Sequence, residues 1–332
     1  MGKTTLQKKI VVIGGGTGSF TLLSSLKYHF SDITALVNMV DDGGSSGVLR
    51  DELGVLPPGD VRQCLIALSD APDKLRRLFN FRFAQGTFAG HSFGNLFLSA
   101  VERMTDDFDE AVSMASEVLQ ISGRVIPMTT DNCKLHMRIG KEHIVGEYAI
   151  SGAEIDSSTK PTLWLTPPAR ITPSAQDAIE HADIVVIAPG SLYGSLIPAL
   201  LVEGVSDALS RTKAPLVYVA NLVNKPHQTK GFFVQDYVAE LERFLTDSYI
   251  DTVLYNTDKP QPGLLKRYAL EGEFPVGVNQ KSLKQAHFQA IGGHFLNKDH
   301  LVRDKNDTRI TRSLIRHDAE AIAGRLVSLF GS

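Results

Sequence analysis

Lys9-Ile10-Val11-Val12-Ile13-Gly14-Gly15-Gly16-Thr17-Gly18 is an apolar run that stops abruptly in a cluster of glycines. Lys9 to Ile13 reads as a short buried strand, and Leu22, Leu23 and Leu26 then recur at helical spacing. The unit is therefore strand, glycine turn, helix. A second strand, about Thr34 to Val40, ends in Asp41-Asp42-Gly43-Gly44-Ser45-Ser46-Gly47. Together these segments predict the opening βαβ of an α/β, doubly wound and mostly parallel sheet.

Downstream of that unit, about 60–122 reads as a helical insertion. Asp60 is placed to cap its first helix, three residues before Gln63, and a later helix starts near Asp106 and stops before Gly123. About 135–150 alternates on either side of Gly140-Lys141-Glu142, which predicts a β-hairpin. Thr172-Pro173 is a good helix start, and apolar strands follow at Asp183 to Ala188 and Leu216 to Leu222. Gln261 to Gln289 has no clear periodicity, and His317 to Phe330 reads as a closing helix. With no repeat, low-complexity tract or Pro/Ser linker, residues 1–332 are expected to form one domain.

Composition narrows the function classes. Hydrophobic residues make up 43% and charged residues 21% of the chain, which excludes wholesale disorder. Thirty-four basic against thirty-seven acidic residues give a net charge of −3, so no nucleic-acid partner is expected from charge. No apolar run approaches the roughly 20 residues of a membrane helix, so no membrane insertion is expected. The polar Met1 to Lys9 leads straight into a strand, and no signal peptide is expected. Cys64 and Cys133 lack CxxC spacing, which disfavours a disulfide scaffold or a Cys-based zinc site. A cytoplasmic globular protein is the expectation.

Three loops carry the chemistry. Gly14, Gly15, Gly16, Thr17 and Gly18 let backbone N–H groups approach a phosphate at the positive end of a helix. No Gly-Lys-Ser/Thr follows, so this is not a P-loop, and Ser19 takes the place of the third glycine in a dinucleotide fingerprint. Asp41 and Asp42, with Gly43, Ser45 and Ser46, stand where an acid often grips a ribose hydroxyl; alternatively the two carboxylates hold Mg²⁺ beside phosphates. Gly190 and Ser191 open a second strand-to-helix junction suited to an anion, without a Gly-x-Ser-x-Gly elbow. Arg62, after Pro57-Pro58-Gly59-Asp60, is a candidate bidentate phosphate ligand, and Asn95 in His91-Ser92-Phe93-Gly94-Asn95-Leu96 a candidate base or sugar contact. His91 is weighed as an acid/base imidazole. No Ser–His–Asp set can be named. Two anion-competent loops and an acidic loop at one sheet edge point to a diphosphate-bearing small molecule.

The segments Gly14 to Gly18, Asp41 to Gly47, Pro57 to Asp60, Gly94-Asn95-Leu96 and Ala188 to Tyr193 resemble, in this order, the YvcK-type gluconeogenesis factors. That family is a branch of the superfamily containing the CofD 2-phospho-L-lactate transferases. The likeness runs from about Lys9 to Asn221, with a weaker echo at His317-Asp318. It implies a Rossmann-like fold, a cytoplasmic location, a role in cell shape and in carbon flux under gluconeogenic growth, and a homodimer. It also implies a UDP-sugar ligand such as UDP-N-acetylglucosamine, with no established reaction. Carried over by position, the first glycine loop and Gly190-Ser191 hold diphosphate. Asp41, Asp42 and Ser45 line the ligand or metal side, and Asn95 and Asn221 read ribose or sugar. One departure stands out: the family's Gly-Glu-Thr run is here Pro226-His227-Gln228-Thr229.

Three functional readings follow. The first is a nucleotide-sugar-binding regulatory factor acting through an unidentified protein partner. The second is an Mg²⁺-dependent CofD-like transferase acting on a nucleotide-diphosphate-linked substrate. The third is an NAD-binding oxidoreductase, suggested by Gly14-x-Gly16 and an acid about 20 residues further on.

Overall fold

The computed structural model describes residues 5–156, 160–298 and 314–331; the polar residues 1–4 lie outside them. Seven parallel strands make the main sheet: β1 (Leu6–Gly14), β2 (Phe30–Val37), β3 (Arg124–Pro127), then β7 (Ile184–Ile187), β8 (Leu216–Val219), β9 (Thr252–Asn256) and β10 (Gln289–Gly293). A second, antiparallel sheet contains β4 (Lys134–Ile139), β5 (Glu142–Val145) and β6 (Thr162–Thr166) in the order β5-β4-β6.

The order in the large sheet is β3-β2-β1-β7-β8-β9-β10. Winding runs outward from β1 in one direction and outward from β7 in the other. Chain exits from these neighbours diverge, leaving a crevice at the carboxyl ends where doubly wound folds take their ligands.

Side chains on β1 are divided between two cores. Val11 and Ile13 pack on one face with Val185, Ile187 and Tyr218. Ile10 and Val12 pack on the other with Leu22, Leu23 and Leu26 of α1 (Gly16–Leu26) and with Ile322 and Leu326 of the closing helix Ala319–Phe330. With both faces covered, β7 and β8 read as unbroken apolar runs, every residue buried.

The helical insertion consists of α2 (Gly44–Leu53), α3 (Gly59–Leu68), α4 (Asp73–Asn80), α5 (Phe93–Thr105) and α6 (Phe108–Leu119). Asp107 caps α6, its carboxylate accepting from the backbone of Asp109 and Glu110. The expected hairpin is β4 paired with β5, but it stops at Val145. Gly146, at φ +98°, turns the chain into α7 (Glu147–Ser151), so Glu147 lies on a helix rather than a strand. β6 completes that sheet on its other side. The helix starting at Pro173 is α8 (Pro173–Glu180), capped by Thr172. β2 ends at Val37, three residues before the expected Val40, yet Met39 and Val40 stay buried beneath the loop. The sequence reading assigns no strand to β3, β6, β9 or β10, and the aperiodic Gln261 to Gln289 contains two short helices, Pro262–Leu270 and Gln280–Lys284.

Two glycine substitutions test this packing in opposite directions. A Cβ on Gly18 would overlap the Pro189 carbonyl, whereas one on Gly324 in the closing helix meets open space. Gly18→Ala is expected to lose about 1–3 kcal/mol in urea melts, from overpacking against backbone. Gly324→Ala is expected to gain about 0.5–1 kcal/mol, from helix propensity alone.

Candidate functional site

The β1–α1 loop is wedged between two neighbours. Pro189, just past β7, fills the space a Gly18 side chain would need, and the Asp60 carboxylate fills the space beside Gly15. Gly16 sits at φ +62°, which glycine adopts without strain. Gly15, at the cap position of α1, has no side chain, and the N–H of Gly16 bonds the Asp60 carboxylate, so an anion at this helix end would meet the N–H groups that follow Gly16. Thr17 stands exposed at the crest. Ser19, in the third glycine's place, is buried, and its Oγ occupies the space next to Gly14.

The acidic loop separates its two aspartates. Asp41 Oδ1 accepts from Gly43 N at 3.0 Å, and its carboxylate lies next to Gly59 and Ser46. Asp42 bonds a different segment. Its oxygens accept from Glu147 N at 3.1 Å and Tyr148 N at 2.7 Å, which fixes the start of α7. Ser45 continues the loop into a buried chain of hydrogen bonds. Ser45 Oγ is 3.0 Å from His91 Nδ1 and accepts from Asn95 Nδ2 at 3.0 Å. Arg62 Nε donates to Asn95 Oδ1 at 2.8 Å, and another guanidinium nitrogen donates to Asn80 Oδ1 at 2.6 Å. Arg62 and Asn95 are only 5% and 2% exposed, so they brace the loops from beneath instead of presenting polar groups to solvent.

The β7 exit is held by Asn221. Its Nδ2 donates to Gly190 O at 2.7 Å and its Oδ1 accepts from Tyr218 Oη at 3.1 Å. Ser191 Oγ accepts from Lys225 Nζ at 2.9 Å. The first sheet edge thus brings Gly14 to Gly18, Asp41, Asp60, Glu147, Gly190, Ser191 and Lys225 together. Three of these escaped the sequence reading. Asp60 was expected to cap α3, but Pro58 takes the cap position and Asp60 sits inside the first turn, aimed at Gly15. Glu147 was expected in a strand, although Gly146 marks the break. Lys225 immediately precedes the run Pro226-His227-Gln228-Thr229 that departs from the resemblance, and its sequence surroundings offer no further signal.

Asn221 also lines a cavity of about 720 Å³ that extends beyond β8 and β9. Its walls are chiefly apolar, with Leu222, Phe274 and Val276 among them, while Asn256, Asp258 and Gln280 supply polar edges. Tyr268 Oη accepts from the backbone of Leu314 at 2.8 Å and Ile315 at 3.1 Å, which positions Ile315 in the wall. A mostly apolar cavity with a few polar groups is the ordinary form of a small-molecule site.

Electrostatics at the crevice are dominated by carboxyl groups. Desolvation pushes Asp60 up to about 8, reinforced by the charges of Asp41 and Glu147 and opposed by a hydrogen bond from Gly16 and by Arg62. Glu147 is also raised, first by desolvation and then by Asp41, against the Ser151 hydrogen bond and the Lys225 charge. Among the described residues no three His, Cys, Asp or Glu side chains are grouped as metal ligands. Mg²⁺ is ordinarily held by one or two carboxylates together with ligand phosphates, and Asp41 and Asp60 suit that role. Asp42, committed to α7, does not.

The Asp60 shift has a definite sign. The folded protein retains a proton that the unfolded chain, with the ordinary value of 3.8, releases. This group therefore lowers stability as pH rises from about 4 to about 8. Asp60→Asn is isosteric and removes the titration. Its melting temperature is expected to equal or exceed the wild type's, with an advantage that grows from pH 5 to pH 8. An advantage that does not change with pH would contradict this assignment.

The 2-phospho-L-lactate transferase CofD family profile matches residues 10–296. A putative gluconeogenesis factor from Thermotoga maritima is 44% identical over 280 residues, 83% of this chain and 87% of its own. The gluconeogenesis factor of Bacillus subtilis is 38% identical over 325 residues, 97% of this chain and 98% of its own. A crystal structure of a UPF0052-family protein from Bacillus halodurans superposes with a TM-score of 0.88 at 33% identity, covering 97% of this chain and all of that one. With the glycine loop, the acidic loop and the β7 exit all inside the matched span, the chain belongs to the CofD family.

Proposed function

We propose that this protein is a nucleotide-sugar-binding regulatory factor of gluconeogenic growth, with UDP-N-acetylglucosamine or another UDP-sugar as its ligand. One observation carries the reading: the two anion-competent loops touch at the switch point, and Asn221 joins the second of them to the cavity. The diphosphate spans Gly14 to Gly18 and Gly190-Ser191, and the apolar cavity receives an uncharged part of the ligand. The names of the relatives support the gluconeogenic role. Cell-shape maintenance, a cytoplasmic location and a homodimer belong to the same reading. No helix among the described residues is long and apolar enough to cross a membrane.

A second reading is favoured by the family and by the Asp41, Asp60 and Glu147 carboxyl groups: an Mg²⁺-dependent transferase acting on a nucleotide-diphosphate-linked substrate. Bound metal would supply charge neutralisation at the phosphates, while the glycine loop orients them.

Titration calorimetry with UDP-N-acetylglucosamine and UDP-glucose separates the two. The regulatory reading expects wild type to bind at least one UDP-sugar with or without Mg²⁺. Gly16→Val is expected to abolish binding, because a β-branched residue cannot comfortably hold φ +62° in that loop. Binding that requires Mg²⁺ would favour the transferase. No binding of either UDP-sugar at millimolar ligand would overturn the nucleotide-sugar assignment.

A further inference from the structure

A diphosphate at this crevice meets a charge problem. Asp41, Asp60 and Glu147 converge there: the charges of Asp41 and Glu147 raise the proton affinity of Asp60, and that of Asp41 also raises Glu147's. Positive charge is needed beside the phosphates, and Arg62 and Lys225 act electrostatically on this cluster with the right sign. Arg62 is buried and already donates to Asn95 and Asn80. Lys225 is half-buried, and its ammonium reaches Ser191 Oγ at 2.9 Å, at the mouth of the second loop.

The local fold aims this side chain. Lys225 N donates to Thr229 Oγ1 at 2.9 Å, and Thr229 N returns a bond to Lys225 O at 3.1 Å, closing a tight turn. Thr229 Oγ1 also accepts from Tyr237 Oη at 2.9 Å, inside the core. Gln228, buried in the same turn, donates to Ile150 O at 2.6 Å and ties the turn to α7. Lys225 is thereby held opposite Glu147, with its cation directed at the loop that Asn221 fixes.

We propose that Lys225 is a specificity-determining residue that grips the distal phosphate of the diphosphate at Ser191, supplying charge that such ligands otherwise draw from a divalent metal. The inference rests on the nucleotide-sugar reading above and adds the group that distinguishes a diphosphate from a monophosphate. An ammonium is a compact point charge with three donors, so it can bond Ser191 Oγ and a phosphate oxygen together.

Titration calorimetry on the full chain tests this with UDP-N-acetylglucosamine and uridine 5′-monophosphate, each in EDTA and in Mg²⁺. Lys225→Gln keeps a donor for Ser191 but loses the charge. It is expected to weaken the UDP-sugar roughly 10- to 100-fold, the size of a charged hydrogen bond, and to leave the monophosphate nearly unchanged. Wild type is expected to bind the UDP-sugar equally in EDTA and in Mg²⁺. Thermal melts establish that the variant is folded, and Lys225→Met is the second uncharged variant. Undiminished UDP-sugar affinity in folded Lys225→Gln or Lys225→Met would overturn the inference alone. So would an equal loss for both ligands, or a wild type that binds only with Mg²⁺. A wild type that binds no UDP-sugar at all would overturn the nucleotide-sugar reading, and this inference with it.

Discussion

The close approach of the β1 and β7 exits is the constraint on which the site depends. Adjacent parallel strands that lead in opposite directions must leave a gap at their carboxyl ends. Here the gap is narrowed until the first turn of α1 lies against the Pro189 carbonyl, a distance only a glycine at position 18 permits. Gly15 plays the same part on the other side, where Asp60 fills the space of a side chain. The glycines therefore do two jobs: they give the backbone its turn, and they let three separate segments meet at one place.

Around that contact the rest of the site is braced rather than exposed. Asn221 secures the β7 exit from below, Asp42 secures the start of α7, and the Arg62–Asn95–Ser45–His91 chain secures the acidic loop. Arg62, Asn95 and Ser45 are buried at a cost that their mutual hydrogen bonds offset, and a bonded buried polar network holds a single geometry. The arrangement explains why polar residues that look like ligand contacts in the sequence lie beneath the surface they support. A carboxylate or guanidinium in a conspicuous motif has two ways to matter, and burial decides between them.

Strands β1 and β7 are legible because they run into glycine-containing turns, as at Ile13-Gly14 and Pro189-Gly190, and β2 is legible although its apolar run continues three residues past its end at Val37. Less legible are β3, β9 and β10. Thr252 to Tyr255 are all buried, and a parallel strand covered on both faces shows no alternation to read. The hairpin was visible through Gly140, yet its end was misplaced because a single positive-φ glycine, Gly146, converts an apparently continuing strand into α7. In the crevice, the loops are legible from their glycines, whereas the neighbours of their carboxyl groups are not. Local sequence makes Asp60 a helix cap, since capping depends on near neighbours. Its actual hydrogen-bond partner, the N–H of Gly16, is 44 positions away in the chain and comes near only through the fold.

The acid-rich floor of an anion-binding crevice then becomes intelligible. Were Asp41, Asp60 and Glu147 all ionised, the crevice would repel a diphosphate, and burial would make each charge more costly still. Holding Asp60 near 8 removes one of those charges at neutral pH. A neutral carboxyl can also donate a hydrogen bond, so the same side chain that would repel a phosphate as an anion can hold one as an acid. Lys225 opposes a second charge by lying near Glu147. Ligand binding and protonation are consequently linked: any anion that settles against the glycine loop raises the proton affinity of Asp60 further, and the proton in turn favours the anion. The glycine loop supplies only dipoles, whereas the carboxyl groups make the crevice responsive to charge.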